Sequence, residues 1–322
     1  MNSTQGNSPA LRPASSGREF LFHIVLTLSL FLSIMFVPLA GFLAGILTPL
    51  PTTLALVRYG LPAAAVVPGI SGLVGSVVLL LLDMPQSITY LAALLAMGVV
   101  LGHGIRTEWS SERIIALSSF VMLSASGLLL LIAYAQTGGE LVRLLEQDIQ
   151  SAIATTLRQI QSPSAETKEL EESLLATVPL IVRIMPGITI ACTLGISWIN
   201  VLFARRYFRS TGLYACVQED WSLWKAPEML VWGVIACGVA LIGPFSALKY
   251  PALNALIVIG CVYFLHGLAI TSFFLEKWKL PVFLRALVYA ILALQQFASM
   301  ATAIMGMFDM WFDFRKLAKK PE

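Results

Sequence analysis

From Phe20 to Val57 the chain runs for 38 residues without one Asp, Glu, Lys or Arg. A helix needs about 20 apolar residues to cross a bilayer core of roughly 30 Å. The run is therefore too long for one upright helix and long enough for two short ones. The stretches "VPLAG" and "TPLPT" place prolines where a turn or a broken helix would fall. Similar runs recur at about 60–82, 88–102, 114–135, 176–203, 229–247, 253–275 and 282–308, the one at 88–102 being short. Only 12% of residues are charged, against about 25% in soluble domains, and the mean hydropathy is +0.82. Too little polar surface is left to coat a globule. The expected fold is an all-α polytopic transmembrane bundle of eight spans, or nine if 20–57 crosses twice. The run after Arg18 exceeds a signal-peptide core of about 7–15 residues, so it is expected to stay in the membrane.

Polar segments divide this frame. Residues 1–18, rich in Ser and Pro, read as a disordered tail. Residues 19–135 form a first transmembrane bundle, 136–175 an interruption, 176–308 a second bundle and 309–322 a basic interfacial tail. Within the interruption, Leu141, Leu145, Ile149 and Ile153 fall on one helical face, while Glu140, Arg143, Glu146 and Asp148 lie largely elsewhere. A second helix restarts with Ser162 as N-cap and Pro163 at its first position. The pair reads as an extramembrane amphipathic hairpin. It is acidic, unlike helices that lie flat on anionic lipid, so projection toward a partner is expected.

Basic residues do not fix the orientation. Arg205, Arg206, Arg209 and Lys225, with Lys277 and Lys279, are separated by an odd number of crossings from Arg315, Lys316, Lys319 and Lys320. The two groups compete under the positive-inside rule. Eight spans keep both termini in the cytoplasm, with 39–57 broken or re-entrant; nine spans export the basic tail. The net charge of +3 suits a membrane surface and not nucleic acid. Four cysteines without C-x-x-C spacing, and three scattered histidines, offer no metal cluster. No metal or other cofactor is expected. Gly41 with Gly45, Gly98 with Gly102, and Gly69, Gly72 and Gly75 sit at helix-packing spacing.

Polar groups inside spans carry the functional information. Arg183 stands two turns into its span, where it either snorkels to the interface or serves as a counter-charge. Arg285 reads as an interfacial anchor. Asn254, His266, Gln295 and Gln296 either bond neighbouring helices or line one shared ligand pocket among the last spans. The chain ends its apolar sequence with "GMFDMWFDFRKLAKK". Trp311, Phe312 and Phe314 fit an aromatic belt, followed by Arg315 and Lys316 as headgroup anchors. Asp309 is expected to pair locally at the interface; the competing reading turns it inward toward Arg183. There is no P-loop, H-E-x-x-H or G-x-S-x-G motif and no pair of intramembrane aspartates. No catalytic residues are assigned and no enzyme activity is expected.

"TPLPTTLALVRYG" at 48–60, "FLHGLAI" at 264–270 and "GMFDMWFDFRK" at 306–316 resemble the signatures of the YybS-like family of bacterial polytopic membrane proteins. The resemblance marks Pro49, Pro51, Arg58, Gly60, Gly267, Asp309, Phe314 and Arg315 as family positions and assigns them no chemistry. Where the family commonly has glutamine before the first C-terminal glycine, this chain has His266. The resemblance implies a bacterial inner-membrane location. The layout is also similar to the substrate-binding S components of energy-coupling-factor transporters, which capture a vitamin and borrow a separate ATPase. Two functional readings follow. The chain is a transporter-like component that binds a small molecule in the lipid bilayer, alone or with an ATPase. Alternatively, it is a scaffold that recruits a protein partner through the acidic hairpin.

Overall fold

A computed structural model describes residues 17–160, 165–211 and 221–316. The N-terminal tail up to residue 16, the Ser162 and Pro163 cap, Cys216, Lys319 and Lys320 lie outside the described residues. The described residues are helical or connect helices, and no strand occurs among them. Two units are formed, one from residues 1–131 and 193–218, the other from 132–192 and 219–322. Among the described residues, seven helices are long and apolar enough to cross a bilayer, or eight if a bent helix pair is counted as one span. The protein is a multi-pass membrane protein.

In the first unit, α1 (Gly17–Phe36) stops just before Pro38, and α2 (Pro38–Gly45) folds back on it. Gly41 meets the Ser33 carbonyl so closely that no Cβ fits there. α3 (Pro49–Tyr59) opens with Pro49 and Pro51 in its first turn, where a missing N–H costs nothing. Gly60, at φ +83°, ends α3 and leads through α4 (Leu61–Ala64) to α5 (Val66–Leu81). The segment 17–59 thus makes three helices, and by length and composition Ala40–Tyr59, taken across the α2–α3 turn, is long enough to span. The 39–57 stretch is broken, as expected, at the turn 46–48 between α2 and α3. Prolines at helix starts permit continuation where prolines inside a helix would not.

α6 (Gln86–Arg106) is the core of this unit: Leu91, Leu94, Met97 and Leu101 are fully buried. Its 21 residues reach about 31 Å, so it is a full span and not the short one read from 88–102. Helical residues at His103 and Arg106 lengthen it beyond its apolar stretch. α3 lies along α6, with Gly98 opposite Pro49 and Thr52 and Gly102 opposite Thr53 and Leu56. α7 (Ser111–Gln136) and the 193–211 end of α9 (Ala165–Thr211) join through hydroxyls. Ser197 Oγ lies 3.1 Å from Ser118 Oγ and 3.0 Å from Ser119 Oγ.

The second unit holds α8 (Leu141–Ile160), the 165–192 part of α9, α10 (Leu230–Ile242), α11 (Lys249–Lys277), α12 (Val282–Leu294) and α13 (Gln296–Phe312). In α8 the predicted face Leu141, Leu145, Ile149 and Ile153 is half-buried, and Arg143 and Asp148 are exposed. α10 has 13 residues, about 20 Å, short of a bilayer core that the apolar run at 229–247 was expected to cross. Pro244 follows its end, and the next helix begins at Lys249. α12 and α13 meet at 97°. Gln295 makes that break stable: its Oε1 accepts the Ala298 N–H at 2.6 Å as the N-cap of α13.

Candidate functional site: a buried histidine, aspartate and arginine

α11 is apolar along most of its length and is buried over Leu265–Ile270. α13 reaches it there because two glycines face each other. A Cβ on Gly267 would land on the Thr302 carbonyl, and one on Gly306 on the Tyr263 carbonyl. Without side chains between them the two backbones touch, which places the side chain of His266 beside that of Asp309.

The end of α13 supplies the third group. Asp313 takes a left-handed conformation at φ +40° and halts the helix, its N–H still bonded to the Asp309 carbonyl at 2.9 Å. Asp309 Oδ1 accepts the Phe314 N–H at 2.9 Å, and the Lys316 N–H closes on the Asp313 carbonyl at 2.8 Å. This turn folds Arg315 back over the helix end, where terminal carbonyls favour a cation. Outside the turn, Lys225 Nζ reaches Asp313 Oδ1 at 3.2 Å.

Relative exposures of 3% for His266, 1% for Asp309 and 5% for Arg315 show a cluster removed from solvent. Arg315 Nη2 donates to Asp309 Oδ2 at 2.9 Å and lies 2.9 Å from His266 Nε2. Its Nη1 donates to the carbonyls of Ser222 at 2.6 Å and Trp224 at 3.0 Å. Asp309 Oδ2 is also 3.2 Å from His266 Nε2. Trp224 stands edge-on to the His266 ring at 5.8 Å and stacks on Trp221 at 5.0 Å. A guanidinium can only donate. His266 Nε2 accepts from it in the Nδ1–H tautomer and donates to Asp309 Oδ2 in the Nε2–H tautomer. His266 Nδ1, Arg315 Nε and Tyr263 Oη are buried without a hydrogen-bond partner among the described residues.

The sequence expectations are redistributed by this geometry. Asp309 does pair with a nearby base, but the pair is buried and not an interfacial anchor. Arg183 is not its partner: that side chain is exposed and lies over the Tyr250 ring at 4.5 Å. The shared pocket of Asn254, His266, Gln295 and Gln296 does not form. Asn254 is 12 residues from His266 on α11, about 18 Å away along the axis. It donates to the Arg183 carbonyl at 2.8 Å and accepts the Gly187 N–H at 2.5 Å, beside Pro186. Those are the acceptor and donor that a regular helix would pair, so Asn254 holds α9 together at its proline. Gln295 caps α13, and Gln296 is exposed at its first residue. Arg285 Nε donates to the Leu280 carbonyl at 2.8 Å.

The positions marked by the YybS-like resemblance fall into two sets. Gly267, Asp309 and Arg315 build the cluster, while Phe314 stacks on Phe312 at its rim, at 5.8 Å. Pro49 and Pro51 are buried in α3, and Arg58 pairs with Glu19 at 3.6 Å with both side chains more than a third exposed. Tyr59 donates its hydroxyl to the same Glu19. Arg106 Nη1 donates to the Val57 carbonyl at 3.1 Å and packs its guanidinium against Gly60. Arg106, Ser222, Trp224 and Tyr263 were missed by sequence reasoning. Only the positive φ that glycine tolerates at 60 hinted at a close approach there.

A family model described as "Predicted membrane protein (DUF2232)" matches residues 25–310. The chain belongs to that family. The match takes in α3 with its prolines, Gly267 and Asp309. Comparison with curated proteins and with solved structures gives no match.

Proposed function

We propose that this DUF2232 protein is a transporter-like membrane component whose working part is the buried His266–Asp309–Arg315 cluster. Ionisable groups held inside a transmembrane bundle are costly, and they mark ion or substrate pathways by default. The cluster is the observation that carries the reading. It joins α11, α13 and the 221–224 segment through side chains that an apolar contact could replace at less desolvation cost. The resemblance to YybS-like chains and to S components of energy-coupling-factor transporters supports the same reading. So does the absence of a nucleotide motif from the sequence, which leaves the energy to a separate ATPase or to an ion gradient. In this reading the chain makes and breaks no covalent bond of its substrate.

Native mass spectrometry of gently solubilised protein tests the proposal. The expected spectrum carries a small polar adduct, absent from the Arg315→Gln variant in its folded fraction. A spectrum with lipid alone, together with a melting temperature that no small molecule raises, would contradict it. A co-purifying protein lost on deletion of residues 138–172 would favour recruitment by the acidic hairpin instead.

A further inference from the structure

We infer that the face of α7 running from Arg113 to Phe120 binds an anionic phospholipid, with the Arg113 guanidinium on its phosphate and the apolar groove below along an acyl chain. The inference stands apart from the transporter-like reading and uses no residue of the buried cluster.

The end of the first unit at which α7 begins is built of arginine. Arg58 ends α3 and Arg106 ends α6, and the two ends meet where Arg106 Nη1 donates to the Val57 carbonyl at 3.1 Å. Arg18 opens α1 beside Glu19, which accepts from Tyr59 of α3. The last turns of α9 add Arg205, Arg206 and Arg209, placed there by the Arg205 Nη2 donation to the Trp109 carbonyl at 3.4 Å. With Arg113, this end holds seven arginines against the three glutamates Glu19, Glu108 and Glu112. At the opposite end of the unit the α1–α2 turn is uncharged and the α5–α6 turn carries Asp83 alone. Such a field attracts anionic headgroups and disfavours the ammonium of a zwitterionic one.

Arg113 is the cation of this set that is prepared for a ligand. Its guanidinium lies over the Trp109 ring at 4.4 Å, and the residue is exposed. It makes no ion pair and no side-chain hydrogen bond among the described residues. Stacking on a ring occupies the face of a guanidinium and leaves its in-plane N–H donors for a phosphate, which they match two at a time. Arg113 stands one residue before the apolar run at 114–135, where headgroup gives way to chain, and Trp109 suits the same depth.

Below the cation lies room for a chain. Arg113, Ala116, Leu117 and Phe120 recur at helical spacing and line an open groove of about 450 Å³. Ser111, Ile114, Ser118 and Met122 are buried on the other side of α7, so the groove looks outward from the unit. The same outward face continues past Phe120 to Ser124, and at Gly127 no described atom lies within 4 Å of where a Cβ would stand. Cation, stacked ring and groove follow one another in the order of headgroup, glycerol and acyl chain.

The test is lipid competition on the full-length, delipidated chain in detergent. The protein is titrated with an equimolar mixture of dioleoyl phosphatidylglycerol and dioleoyl phosphatidylcholine, and retained lipid is counted by native mass spectrometry. The first lipid retained should be phosphatidylglycerol, by a severalfold preference. Arg113→Gln should abolish that preference, whereas Arg209→Gln, an exposed arginine at the same end, should largely keep it. Leu117→Trp, which fills the groove and leaves every charge in place, should lower retention severalfold. Phosphatidylglycerol should also raise the melting temperature of the wild type and not that of Arg113→Gln, whose value in phosphatidylcholine should match the wild type. Glycerol phosphate, the headgroup without chains, should not displace the bound lipid. Equal retention of the two lipids overturns the site, as does a preference that survives Arg113→Gln. Equal losses in Arg113→Gln and Arg209→Gln would reduce it to diffuse charge, and displacement by glycerol phosphate would assign a soluble ligand in place of a lipid; either result overturns the inference.

Discussion

Two helix contacts of this molecule, α3 with α6 and α11 with α13, use the same device and reach different ends. Both bring backbones together at glycines. Between α3 and α6 the polar groups are hydroxyls and carbonyls, joined at the end of α6 by the Arg106 guanidinium on the Val57 carbonyl. Thr53 Oγ1 lies 3.0 Å from the Pro49 carbonyl and 3.1 Å from that of Gly98. Charged residues stay at the rim, where Arg58 and Glu19 keep much of their solvation. Between α11 and α13 the charges are inside. The first contact holds no buried ion pair among the described residues and reads as packing, with Thr52 Oγ1 buried there without a hydrogen-bond partner. The second depends on ionised groups that must be held together.

The glycines sharpen this contrast most strongly. Gly306→Ala would drive a methyl group into the Tyr263 carbonyl and the Gly267 amide, so α13 must move and the buried charges must separate. Overpacking alone costs about 1–3 kcal/mol, and separation of the cluster adds to it; loss of folded protein on size exclusion is expected. Gly98→Ala meets the Pro49 carbonyl at 2.8 Å, with no charge at stake, and should lower the melting temperature while leaving a folded chain. Gly69→Ala has nothing within 4 Å and should be neutral. If Gly98→Ala proved worse than Gly306→Ala, the distinction between the two contacts would fail.

The charges give a smaller effect on the first unit. Glu19→Gln removes the partner of a half-exposed Arg58, and such pairs are worth about 0–1 kcal/mol. Its melting curve should nearly overlay the wild type. A large loss would mean that the α1 to α3 rim carries a buried charge after all.

Much of this architecture was legible because lipid demands length and apolarity, and both are local properties. The breaks in 17–59 were open to reading, since its prolines fall at helix starts, but length alone left the number of crossings ambiguous. Asp309 shows where local reasoning stops. The bases that follow it in the chain suggested a local partner, and Arg315 is one. Burial came from Gly267 and Gly306, which lie on different helices and whose pairing no periodicity announces. His266 appeared to lack an acid because its acid is 43 residues away in the chain. Asn254 looked like a pocket residue, yet it serves the Pro186 break on α9, which only the tertiary fold brings near.

The central claim is that Asp309 and Arg315 act as one buried unit. A double-mutant cycle on thermal stability, with Asp309→Asn, Arg315→Gln and the pair combined, tests it most directly. Removing one partner of a buried pair strands the other, so each single change should cost about 3–5 kcal/mol. The double change leaves no stranded charge and should cost no more than the worse single. Two mild single changes that simply add would contradict the account, and would return Asp309 to the status of an exposed anchor.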